Sequence, residues 1–142
     1  MSSRRCSAGG GYMGSYSSVI AIEAIVGEPF EHRDWGGERS DVFTTRIQYQ
    51  GTRVASAMLL KGPAVGSVLY PANLGKRGDQ SLRLFGEPAD LLIVQFNGKI
   101  ESSVYQLLRI QAEHRAAQGR RTVVCVIDGG DTARLLRAYG HA

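Results

Sequence analysis

Apolar and polar residues change rhythm several times along this chain, and each rhythm predicts an element. In SYSSVIAIEAIVG, the residues Val19, Ile20, Ile22, Ala24, Ile25 and Val26 surround one acid, Glu23. Serines before the run and Gly27 after it predict a helix from Tyr16 to Val26. A strand is the alternative, since valine and isoleucine also suit a sheet. In VFTTRIQYQ the rhythm changes to two: Phe43, Thr45, Ile47 and Tyr49 fall on one face, and Thr44, Arg46 and Gln48 on the other. Gln50-Gly51 then turns the chain into TRVASAMLLK, the return strand of a hairpin. That strand ends almost wholly apolar, as a strand covered on both faces does.

The segment GPAVGSVLYPANLGKRGDQ is rich in Gly and Pro and reads as one long loop, a kind that usually carries function. Asp79 is placed to cap a short helix, QSLRLF. The chain then alternates: strand LLIVQF, helix ESSVYQLLRIQAEHRAAQ, strand TVVCVID, helix DTARLLRAYG. On the long helix Val104, Leu107, Leu108, Gln111 and Ala112 form one stripe. Gly119 ends it, with Arg115, Arg120 and Arg121 near its C-terminal dipole. Asp131 is the expected N-cap of the last helix. Strands alternating with helices predict parallel pairing under helical layers. The expected architecture is therefore α/β, with a mixed central sheet flanked by helices. It forms a single domain over 16–142, behind a flexible Ser/Gly-rich arm over 1–15.

Composition narrows this picture only slightly. A chain of 142 residues can bury a core without disulfide staples. Its apolar runs are too short to span a membrane. Cys6 and Cys125 form no CxxC pair, which fits a reduced cytoplasm, and the first residues lack the apolar core of a signal peptide. The net charge of +4, carried mostly by arginine, is compatible with nucleic acid without requiring it.

The chemistry concentrates in the hairpin. Asp41 begins the first strand and Lys61 ends the second, so a tight Gln50-Gly51 turn brings both to one edge. A carboxylate can hold a hard cation, and a lysine beside it can neutralise a phosphate. Each also has a plainer reading: Asp41 as an acceptor for backbone N–H groups in a turn, Lys61 as a stem lying over apolar surface with its amine in water. The loop LGKRGDQ sets Lys76 and Arg77 between glycines ahead of a helix, a suitable phosphate cradle. Trp35 reads as a lid over the core, and His32, His114 and His141 share no ligand spacing. VIDGGDTARLL lacks the glycine pattern of a nucleotide loop.

The acid opening one strand and the lysine closing the next resemble the PD-(D/E)XK superfamily, the restriction endonuclease-like nucleases. The lead-in Gly36-Gly37-Glu38-Arg39-Ser40-Asp41 looks like the turn before the metal-binding aspartate in its Mrr-type and archaeal resolvase branches. WGGERSD, LKGPA, LGKRGDQ, PADLLIVQ and VIDG together are similar to a group of uncharacterised bacterial proteins. The resemblance implies a restriction endonuclease-like fold and a metal-dependent nuclease acting on nucleic acid, with DNA the expected partner. It implies Asp41, Lys61 and Gln80 as catalytic residues with Mg²⁺ on Asp41, where Glu38 is the expected second acid; Lys76, Arg77 and Arg39 are the basic residues expected against the nucleic acid. A homodimer or a place in a larger complex also follows from it. The chain departs from the pattern at Leu59, where the acid of the acid-x-lysine triplet should stand. Glu38, Glu23 or Asp79 would have to replace that acid. Otherwise the scaffold is a catalytically degenerate module that binds nucleic acid or protein in a DNA-processing or defence complex.

Overall fold

The structure is a computed structural model that describes residues 11–28, 40–62, 65–75 and 79–141, with side chains from residue 18 onward. The elements run α1 (Gly11–Val26), β1 (Val42–Tyr49), β2 (Thr52–Lys61), β3 (Val68–Leu69), a 3-10 turn (Pro71–Asn73), α2 (Asp79–Phe85), β4 (Leu91–Phe96), β5 (Lys99–Ile100), α3 (Ser102–Ala117), β6 (Val123–Ile127) and α4 (Gly129–Ala138). β1, β2, β4 and β6 form a central sheet in that order, and β3 pairs with β5 beside it. β1 and β2 are antiparallel; β2–β4 and β4–β6 are parallel. The expected mixed sheet flanked by helices is present. Among the described residues no helix is long and apolar enough to cross a membrane.

Period-two strands bury two faces, and a different helix pair covers each. Ala57, Leu59, Leu92, Val94 and Phe96 meet Leu84 of α2 and Val104 and Leu108 of α3. Val42, Val54, Met58, Leu60, Leu91 and Ile93 meet Ile22 of α1 and Leu135 and Leu136 of α4. At about 1.5–3 kcal/mol for each large apolar side chain removed from water, these two layers supply the main drive for folding. All six residues of β4 are buried, as the centre of a doubly covered sheet requires.

Four expectations change. The helix expected from Tyr16 begins at Gly11, inside the segment read as an arm. The segment read as one loop contains β3 and the 3-10 turn, because Val68 and Leu69 pair with Lys99 and Ile100. In β1 the register slips between Thr44 and Ile47, which reverses the face of later residues. Phe43 therefore packs on the α2/α3 side, while Ile47 and Tyr49 pack with Val42 on the α1/α4 side. Finally, α4 is capped by Asp128, whose side chain accepts from Asp131 N–H at 2.9 Å; Asp131 answers as the other half of a capping box. The predicted cap was three residues late.

The turn between β1 and β2 explains the close return of the hairpin. Gln50 and Gly51 have φ of 52° and 78°, the two left-handed residues of a primed turn. That turn places the start of β1 against the end of β2, with Val42 opposite Met58.

Candidate functional site

β2 runs on beyond the start of β1, so its last residues lose their antiparallel partner while still pairing with β4. Asp41 fills that gap. Its N–H donates to the Met58 carbonyl at 2.8 Å, and its Oδ2 accepts the Leu60 N–H at 2.6 Å. A charge-assisted bond of this kind satisfies a ladder donor that would otherwise face open space. Asp41 is nonetheless exposed, so its carboxylate also faces solvent.

One residue further on, Lys61 projects to the α2/α3 side, the side that Leu59 also takes. Its Nζ donates to Gln80 Oε1 at 2.6 Å. Gln80 stands in the first turn of α2, where its own N–H donates to the Leu74 carbonyl at 3.0 Å. Burial lowers the Lys61 pKa from 10.5, and the nearby Asp41 charge partly offsets this. Asp41, Lys61 and Gln80, named from sequence as catalytic, thus meet at one end of the hairpin.

Gly75 passes close to the start of α2. Gly75 has φ of +87°, and a Cβ there would run into the Asp79 carboxylate and reach Gln80 Cγ at 2.9 Å. Only glycine lets the chain pass this close to the residue that holds Lys61. Asp79, expected as a cap, is the first helical residue, and its Oδ2 pairs with Arg83 at 3.2 Å.

The other proposed residues divide clearly. Glu38, Arg39, Lys76 and Arg77 lie outside the described residues, as do Trp35 and His32. Leu59 is 7% exposed and packs in the apolar cluster with Leu69, Leu74 and Leu84. Glu23 is exposed on α1, which covers the opposite face from Lys61 and Gln80. Among the described residues no group of three His, Cys, Asp or Glu could hold a metal ion.

A supporting network escaped the sequence reading. Ser40, buried next to Asp41, donates from Oγ to Glu87 Oε2 at 2.8 Å, and Glu87 is itself buried. The Glu87 carbonyl accepts Arg115 Nη2 at 2.8 Å and Arg120 Nη2 at 3.4 Å. Arg115 stands in the last turn of α3, near the dipole as expected, but it is 4% exposed, its Nε and Nη1 buried without a hydrogen-bond partner. The network pins the residue that leads into Asp41 to the segment leading into β4. The period of α3 did mark position 115 as inward, since it lies four residues after Gln111 and seven after Leu108.

Comparison with protein-family models, with curated proteins and with solved structures gives no match.

Proposed function

We propose that this protein is nuclease-like and acts on nucleic-acid phosphodiesters at the cluster of Asp41, Lys61 and Gln80, on a scaffold of the restriction endonuclease-like kind. The observation that carries the reading is the Lys61–Gln80 bond of 2.6 Å beside the Asp41 carboxylate. A cation held by a side-chain amide, next to an anion, is poised for a phosphate oxygen: Lys61 neutralises its charge and Gln80 sets the direction of the ammonium group. Asp41 offers a hard oxygen ligand. Magnesium commonly takes one or two carboxylates and completes its shell with water and substrate phosphate. Asp41 would be its protein ligand here, and the metal would supply Lewis acidity. No second ligand is assigned among the described residues, and Glu38, the acid named for that role, lies outside them.

A second reading has its own support. Leu59 occupies the triplet's acid position and is built into the core, so the ordinary second carboxylate is replaced by an apolar contact. On that reading the same cluster binds the phosphodiester backbone without cutting it.

Cleavage of labelled single-stranded DNA, duplex DNA and RNA with Mg²⁺ or Mn²⁺ separates the two. The nuclease reading expects metal-dependent cutting that falls by about a hundredfold or more in both Asp41→Ala and Lys61→Ala. Cutting unchanged in both variants would remove the cluster from the chemistry. Binding by wild type without any cutting would select the second reading.

A further inference from the structure

The two edges of the central sheet are treated differently. β1 breaks its register between Thr44 and Ile47 and exposes Arg46, and both features discourage further pairing. β6, at the other edge, is VVCVI: five apolar residues without a charge, a proline or a bulge. All five remain partly exposed, whereas all six residues of its neighbour β4 are buried. Among the described residues β6 pairs only with β4.

The ladder shows which backbone groups face outward. Val123 N–H donates to the Asp90 carbonyl at 2.8 Å, and Val123 is opposite Leu91. In a parallel ladder alternate residues turn their N–H and C=O to the same neighbour. Val123, Cys125 and Ile127 therefore turn theirs toward β4, and Val124 and Val126 turn theirs away from the sheet.

We propose that a second copy of this chain pairs with β6 in antiparallel fashion, about a two-fold axis at Cys125, joining the two sheets into one. Charge selects both the partner and the direction. Arg120 and Arg121 precede the strand and are exposed, while Asp128 follows it directly and Asp131, paired with Arg134 at 3.0 Å, lies beyond. Antiparallel pairing centred on Cys125 lays the basic end of each copy against the acidic end of the other; parallel pairing would set like charges together. Val124 of one copy then faces Val126 of the other, and such a pair exchanges both N–H···O bonds. Cys125 faces its own counterpart in a non-hydrogen-bonded pair. The Cα separation there is about 4.5 Å, at the short end of the disulfide range of about 4.4–6.8 Å.

The test uses the full chain with Cys6→Ser, which leaves Cys125 as the only thiol. Light scattering and sedimentation give the molar mass across the micromolar range, and copper–phenanthroline oxidation followed by peptide mass spectrometry reads the cross-link. The expected result is a dimer trapped by a Cys125–Cys125 disulfide. Val124→Pro removes an outward N–H that β4 does not use and should raise the dimer dissociation constant about tenfold or more. Arg121→Glu, at an exposed position, should weaken the dimer most at low salt. A monomer throughout the concentration range would overturn the proposal and leave the edge to a foreign strand or to a segment of this chain. A dimer that neither cross-links at Cys125 nor responds to either variant would overturn it too, by placing the interface elsewhere.

Discussion

Lys61 is held between two opposed influences. Burial disfavours its cation and Asp41 favours it, with burial the stronger, so the folded pKa lies below 10.5. Below the folded value lysine is charged in both states, and the cost of burying the cation is fully present. Between the folded value and 10.5 the unfolded chain binds more protons, so stability rises with pH in that window. Denaturant titrations of wild type against Lys61→Met should show this as a difference that narrows as pH climbs toward 10.5. A difference independent of pH would mean that Lys61 titrates as an ordinary surface lysine. At this scale the sequence was informative where a charged side chain bounds a strand of the hairpin. Asp41 and Lys61 stand out for that reason, and Gln80 through the resemblance. Ser40, Glu87 and Arg115 did not stand out, because each is a common surface residue type whose burial depends on partners distant in sequence. Gln95 is a similar case: it interrupts LLIVQF, lies fully buried and donates to Thr132 Oγ1 at 3.0 Å across to α4.

Element positions were legible where periodicity ran long, as in β2, β4 and α3, whose bounds fall within a residue of those expected. They failed where a tertiary contact decides. The slip in β1 reverses an alternation that the residues alone leave in phase, and β3 exists only because β5 offers it two partners. The start of α4 is another tertiary decision. Gly129 N–H donates to the Gly98 carbonyl at 2.9 Å, and a Cβ on Gly129 would lie 2.9 Å from Gly98 N and 3.1 Å from its Cα. Those are backbone atoms and cannot swing aside as a side chain can. Gly129→Ala should therefore cost about 1–3 kcal/mol in chemical denaturation. Gly130→Ala, whose Cβ would meet only Asp128 Oδ1 at 3.4 Å, should be neutral or slightly stabilising. Equal stability of wild type and Gly129→Ala would show that the two turns are not in close contact.

For the molecule as a whole, the doubly covered sheet leaves its chemistry to the ends of strands, and the hairpin end gathers an anion, a cation and an amide in one place. The sheet and its covering helices followed from strand–helix alternation, whereas the inward packing of Leu59 against Leu69, Leu74 and Leu84 depends on contacts that spacing alone does not show. A net charge of +4 would weakly attract any polyanion, so a specific contribution from Lys61 has to be measured against that background. The most direct test is equilibrium binding of a labelled DNA duplex and a single strand to wild type and Lys61→Ala across a salt series. The expected result is weaker binding by the variant and a slope of log affinity against log salt smaller by about one contact. Identical affinity and slope for the two proteins would contradict a phosphodiester site at Asp41, Lys61 and Gln80.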